Sequence, residues 1–119
     1  MKTVILGASN NPRRYSFLAT EELSNNGFEV IPVGIKKGDI NNIPIRNEYP
    51  VNEEIHTVAM YLSAENQEKY RKTLLENPPE RVIFNPGTHN PELETEFKKL
   101  GVEVMRSCVL IMLSNNKYL

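Results

Sequence analysis

The sequence predicts an α/β fold of three layers, with a five-stranded parallel sheet in the middle. Three observations carry that expectation. Short apolar, β-branched runs recur along the chain, most of them broken by glycine or proline. Stripes of helical spacing stand between most of them. Strands alternating with helices pair in parallel through right-handed crossovers.

The first strand is Thr3-Val4-Ile5-Leu6, a continuous apolar run of the kind covered on both faces, and it breaks at Gly7. Tyr15, Leu18, Ala19 and Leu23 then recur at helical spacing and mark a helix. Asn26-Gly27 ends it, since glycine supplies a left-handed cap. Phe28 to Val33 is the second strand. Its Pro32 has no N–H to donate, so it belongs near the strand end or on an unpaired side. Gly34 to Asn47 is polar and aperiodic and reads as a loop. No helix is expected between Gly34 and Glu54, so the crossover there is irregular.

Val58 to Leu62 forms the third strand. Ser63 caps a helix running to Asn77, with Tyr70 and Leu74 on its inner face, and Pro78-Pro79 stops it. Arg81 to Phe84 is the fourth strand. Asn90-Pro91-Glu92 is a strong helix start: a cap, a proline in the first position, then an acid favoured by the dipole. Leu93, Phe97 and Leu100 form its stripe and Gly101 terminates it. Val102 to Met105 is the fifth strand, and Val109 to Leu113 a buried terminal helix capped by Ser107. The succession is that of a Rossmann-like fold.

Bulk properties narrow the function classes. The 119 residues suit a single domain, spanning residues 1–119. A formal net charge of −1 advertises no basic face for nucleic acid or anionic lipid. Cys108 is the sole cysteine, which excludes an internal disulfide and fits a reducing cytosol. Two histidines and one cysteine cannot build a zinc site by themselves, so no metal is expected. No signal-peptide core follows Met1, and the longest apolar run, Val109–Leu113, is far too short for a membrane span. A cytoplasmic protein without a membrane partner is expected.

In an open parallel sheet, ligands bind outside the carboxyl ends of the strands, where strand order reverses. The first strand ends in Gly7-Ala8-Ser9-Asn10-Asn11-Pro12-Arg13-Arg14-Tyr15-Ser16. Gly7 and Ala8 let a backbone approach a ligand, Ser9 and Ser16 offer hydroxyls, and Arg13 and Arg14 bring permanent charge to a helix N-terminus. An anion such as a pyrophosphate suits this loop. The plain alternative is a turn with solvated arginines, and the loop keeps only the first glycine of G-x-G-x-x-G. After the second strand stands Val33-Gly34-Ile35-Lys36-Lys37-Gly38. An acid here would hold the ribose hydroxyls of NAD. Two lysines instead favour a ribose that carries a further phosphate, the plain alternative being a basic turn that keeps the loop soluble. Asn85-Pro86-Gly87-Thr88-His89 follows the fourth strand on the same edge. His89 reads as a loop or capping residue, and Cys108 as a small buried hydrophobe. No catalytic residue is assigned.

The ordered set Val4-Ile5-Leu6-Gly7-Ala8-Ser9 with Pro12-Arg13 and Ser16, Gly27 to Val33, Asn85-Pro86-Gly87, and Gly101-Val102-Glu103-Val104 leading to Cys108 resembles a known family. It is similar to the small stand-alone CoA-binding proteins, Rossmann-like relatives of the CoA-binding domain of the succinyl-CoA synthetase α subunit. The resemblance spans nearly the whole chain. It implies coenzyme A as the cofactor and a binding module without a reaction of its own. It also implies that Gly7 to Ser16 hold the pyrophosphate, Val33 to Lys37 border the adenosine, and Asn85 to Gly87 face the pantetheine. The chain differs from the family pattern at Gly34-Ile35, where an Asn-Pro pair is common, and at Arg106-Ser107, where an acid often precedes the cysteine. Two other readings stay open: an NAD(P)-binding, oxidoreductase-like protein, and a regulatory module with an empty cleft. A homodimer or an unknown protein partner is compatible with each.

Overall fold

The computed structural model describes residues 1–119. In chain order the elements are β1 (Lys2–Leu6), α1 (Tyr15–Asn25), β2 (Glu29–Val33), β3 (Asp39–Ile40), β4 (Ile43–Pro44), β5 (Thr57–Met60) and α2 (Ala64–Glu76). They continue with β6 (Arg81–Phe84), α3 (Pro91–Lys99), β7 (Glu103–Arg106) and α4 (Val109–Ser114). Five strands form one sheet in the order β2-β1-β5-β6-β7, parallel throughout. This is the Rossmann-like α/β arrangement expected from the sequence. The chain steps from β1 out to β2 and returns on the other side of β1 to β5. Strand order therefore reverses between β1 and β5, which is where such sheets hold ligands.

The alternation of side chains along each strand splits the core into two layers. Val4, Leu6, Val58, Met60, Val82 and Phe84 pack with Tyr70 and Leu74 of α2 and Leu93 and Phe97 of α3. Ile5, Ala59 and Ile83 point the other way, onto Ala19 and Leu23 of α1 and Val109 and Met112 of α4. Both faces are covered, which is why the strands read as unbroken apolar runs. β2 lies at the sheet edge, as Pro32 requires: the Pro32 carbonyl accepts from the Arg46 N–H at 2.9 Å on the outer side.

The segment after α4 returns to the amino end of the sheet. The Tyr118 hydroxyl meets the Thr3 hydroxyl at 2.5 Å in the buried interior. Arg81 is itself buried. Its Nη1 donates to the Tyr118 carbonyl at 2.6 Å, and its Nε donates to the Thr57 hydroxyl at 3.0 Å. The guanidinium also lies 4.6 Å from the centre of the Tyr118 ring.

Four local expectations need correction. The stretch Gly34 to Asn47 is not all loop, because β3 and β4 pair antiparallel within it. The turn is Asn41-Asn42, with φ of 49° and 69°. Positive φ at both central residues is the type I′ geometry, and asparagine tolerates it. Ser107 does not cap α4. Cys108 occupies the cap position, and the Asn85 side chain accepts from the Val109 N–H at 3.0 Å instead. Tyr15 is 72% exposed, so it is no part of the inward stripe of α1. Leu100 is 52% exposed because α3 ends before it, at Lys99.

Candidate functional site

Backbone bonds gather the loops at the carboxyl edge of the sheet. The N–H groups of Gly7 and Ala8 both donate to the Val33 carbonyl, at 2.9 and 2.8 Å, and join the β1–α1 loop to the end of β2. Tyr61 N–H donates to the Leu6 carbonyl at 2.9 Å and places the β5–α2 turn beside β1. Ser107 N–H donates to the Phe84 carbonyl at 3.2 Å, which brings the segment after β7 to the end of β6.

Within the β1–α1 loop the donors divide into used and free. The Asn11 N–H is taken by the Ser9 hydroxyl at 3.1 Å, and the Arg13 N–H by the Asn11 carbonyl oxygen Oδ1 at 3.0 Å. With Gly7 and Ala8 also engaged, the N–H groups left for an anion are those of Ser9, Asn10, Tyr15 and Ser16. The last two open α1, where orphan donors and the dipole favour negative charge. Ser16 is only 5% exposed, and its hydroxyl makes none of the side-chain hydrogen bonds within the chain. Gly7 serves the fold: its φ is 100°, and a Cβ there would meet Leu62 and the Tyr61 backbone at 3.1 Å.

The loop after β2 is seated directly on this one. A Cβ on Gly34 would lie 2.4 Å from the Ala8 carbonyl oxygen, and one on Gly38 would lie 2.7 Å from the Asn10 side chain. Gly34 is among the residues expected from the sequence to border the ligand, whereas Gly38 is not. The spacing Gly34-x-x-x-Gly38 was the available signal. Val33 is buried, while Lys36 and Lys37 are exposed on the loop.

Arg13, Arg14, Lys36 and Lys37 are all exposed, and none belongs to an ion pair. At the opposite, amino edge the pattern is reversed. Lys2 bridges Glu53 at 3.1 Å and Glu29 at 3.8 Å, and Arg46, whose backbone pairs with Val33 at the far end of β2, extends its side chain to Glu53. The carboxyl edge thus carries uncompensated cations on two loops in direct contact.

On the β6 side, sequence-predicted residues take unequal roles. Asn85 is 2% exposed, and its side chain is spent inside the fold: Nδ2 donates to the Met60 carbonyl at 3.0 Å while Oδ1 holds the start of α4. Pro86 and Gly87 are exposed, with Gly87 at φ 88°. His89 is exposed as well. Behind it the buried Glu94 accepts from Arg106 Nε at 2.9 Å and Nη2 at 3.2 Å. Burial pushes the Glu94 carboxyl up, but hydrogen bonds from Arg106 and the Asn90 N–H outweigh this and hold it below the usual carboxylate value.

Tyr61, beside the switch point, has a buried hydroxyl without a partner. Burial, then the neighbouring Cys108 and Tyr118, raise its pKa well above the usual tyrosine value. Cys108 is half-buried. Two open hollows lie away from this edge. One, of about 240 Å³, is lined by Phe28, Leu113 and Tyr118, and the other, of about 410 Å³, by Glu53, Glu54 and Glu80. The second is acidic, and neither presents the free cations of the carboxyl edge. No helix is long and apolar enough to cross a membrane.

Known structures share this architecture. A solved structure of an uncharacterized protein is 45% identical with a TM-score of 0.94, covering 98% of this chain and 97% of its own. A hypothetical protein from Pyrococcus horikoshii OT3 shares the fold at 18% identity and a TM-score of 0.85, over 95% of this chain and 81% of that one. The dinucleotide-forming acetyl-coenzyme A synthetase 1 of Ca. Korarchaeum cryptofilum contains the same fold, at 11% identity and a TM-score of 0.72, over 87% of this chain and 25% of that one. No curated protein matches the chain. Residues 1–114 match the model of the CoA binding domain, and the chain belongs to that family.

Proposed function

We propose that the chain binds coenzyme A or an acyl-CoA across the carboxyl edge, as a binding module without a reaction of its own. One observation carries this reading: four unpaired cations, Arg13, Arg14, Lys36 and Lys37, stand on two loops packed together where strand order reverses, in a chain of the CoA-binding family. The residues fit the cofactor. Coenzyme A carries a pyrophosphate and a ribose 3′-phosphate, and phosphates are held by free N–H groups at a helix start together with arginine and lysine. Arg13, Arg14, Ser9 and Ser16 hold the pyrophosphate with the N–H groups of Ser9, Asn10, Tyr15 and Ser16. Gly7, Ala8 and Gly34 set the backbone they stand on. Lys36 and Lys37 meet the 3′-phosphate beside Val33. The pantetheine arm crosses Pro86 and Gly87, and Asn85 fixes the loop beneath it.

Thermal melting tests the reading. Ligand at about one hundred dissociation constants stabilises by roughly 2.7 kcal/mol, or about 10 °C for a domain near this size. Coenzyme A is expected to give that shift and NAD none. A strong shift with NAD and none with coenzyme A overturns the reading in favour of a dinucleotide site.

A further inference from the structure

Helix α2 carries few apolar residues, yet its inward stripe continues back from Leu74 and Tyr70 to Gln67, which is fully buried. A buried primary amide must place two N–H donors and a carbonyl oxygen. Gln67 places all three outside its own helix. Nε2 donates to the Leu62 carbonyl at 2.9 Å and to the Thr88 carbonyl at 2.7 Å. Oε1 accepts from Asn90 Nδ2 at 2.9 Å.

Leu62 belongs to the β5–α2 turn, whereas Thr88 and Asn90 belong to the β6–α3 loop. One side chain therefore pins two loops of the ligand edge together. The second loop is fastened again from within. Thr88 donates through its hydroxyl to the Asn85 carbonyl at 2.7 Å, and Asn90 N–H donates to Glu94 Oε2 at 2.8 Å. The edge is thus built in two unlike halves. The side chains of Arg13, Arg14, Lys36 and Lys37 are exposed and unbonded, while the Asn85–Asn90 loop is fastened by hydrogen bonds within the chain.

From this geometry we infer that Gln67 is a positioning residue for the arm of the cofactor. It touches no ligand. It holds the Pro86-Gly87 segment in the shape over which pantetheine lies, so the ordering of that loop is not charged against binding. The inference rests on the CoA reading of the edge and deepens it: the nucleotide half is insensitive to Gln67, and the arm half depends on it.

The test is calorimetric titration with two compounds, coenzyme A and adenosine 3′,5′-bisphosphate, which has the nucleotide but no arm. Gln67→Met keeps the side-chain volume and removes every hydrogen bond. It is expected to bind coenzyme A roughly tenfold more weakly and the bisphosphate as wild type does. A purely structural role moves both affinities together, and that result overturns the inference, as does no change in either. Asn90→Ser retains a good helix cap and removes only the bond to Oε1. It is expected to weaken coenzyme A about threefold, roughly one lost neutral hydrogen bond, and the bisphosphate not at all. It decides the matter if the methionine variant does not fold, with an unchanged coenzyme A affinity counting against the inference. Wild-type protein that binds neither compound overturns the CoA reading and the inference with it. That failure is distinct from one in which wild type binds both and the variants show no split.

Discussion

Gly34→Ala adds one methyl group at the contact that joins the two cationic loops. The new Cβ would stand 2.4 Å from the Ala8 carbonyl oxygen and 3.2 Å from its carbon. Cβ atoms essentially never stand under 3.0 Å from such an atom and ordinary contact begins at 3.4 Å, so the gap must open by roughly 0.6–1.0 Å. No side chain can swing away to supply that distance, because the obstructing atoms are backbone. Both partners are also anchored: Ala8 N–H to the Val33 carbonyl at 2.8 Å, and Gly34 N–H to the Arg46 carbonyl at 2.9 Å. Forcing extra volume into a packed site costs about 1–3 kcal/mol. For a domain of this size that lowers the melting temperature by roughly 5–15 °C. Such a shift moves one cationic loop against the other, and losing a single charge-assisted contact of about 1.5–3 kcal/mol is expected to weaken coenzyme A binding by at least roughly tenfold. Scanning calorimetry and titration calorimetry measure the two effects. Gly27→Ala is the control. Its Cβ meets nothing within 4 Å, but its φ of 84° strains an alanine far from the ligand edge, so stability falls and affinity holds. A Gly34→Ala protein that melts and binds as wild type would refute the packing argument.

Three further outcomes follow from the same edge and its neighbours. Replacing Arg13 and Arg14 together by alanine is expected to weaken coenzyme A roughly tenfold, the value for charge-assisted contacts after discounting for exposure, with melting unchanged; wild-type affinity by titration would move the pyrophosphate elsewhere. Wild type is expected to prefer coenzyme A over dephospho-coenzyme A by roughly tenfold, less at high salt, and the double Lys36→Ala, Lys37→Ala variant to lose that preference; a full preference in the variant leaves these lysines as a solvated turn. Glu94 has a folded-state pKa below that of a free carboxylate, so its stabilising share is present above the free value and is lost as pH falls through the folded one. Glu94→Gln should therefore flatten the acid limb of the melting-temperature profile, and superimposed profiles for variant and wild type would sink this account.

The strands were legible because both sheet faces are buried, and five apolar runs announced them. The start of α3 was legible because Asn90, Pro91 and Glu92 act on one another locally. What escaped reading depends on distance or on very short elements. β3 and β4 have two residues each, too few for any periodicity, and only the Asn41-Asn42 pair between Ile40 and Ile43 signalled the turn. The cap of α4 comes from Asn85, twenty-four residues before Val109, a distance at which the sequence offers only the local candidate Ser107. The loop Gly7 to Ser16 was found as a segment, but which of its N–H groups are free depends on the Val33 carbonyl, which no local pattern reveals. Gln67 stands in line with Tyr70 and Leu74, but a polar residue on an inner stripe reads in sequence as an interruption of it.

The bond between Thr3 and Tyr118 spans 115 positions, so it closes a loop nearly as long as the chain. The entropy of bringing such distant segments together has to be met before the bond returns anything, which places it late in folding. An interaction absent from the transition state does not alter how fast the native state is reached; it sets how long the native state lasts. The clasp therefore works as a brake on unfolding. Tyr118→Phe, which removes about 1 kcal/mol of hydrogen bonding, is expected to speed unfolding about fivefold and leave refolding unchanged in stopped-flow traces. Slowed refolding with an unaltered unfolding rate would show instead that the two ends meet early.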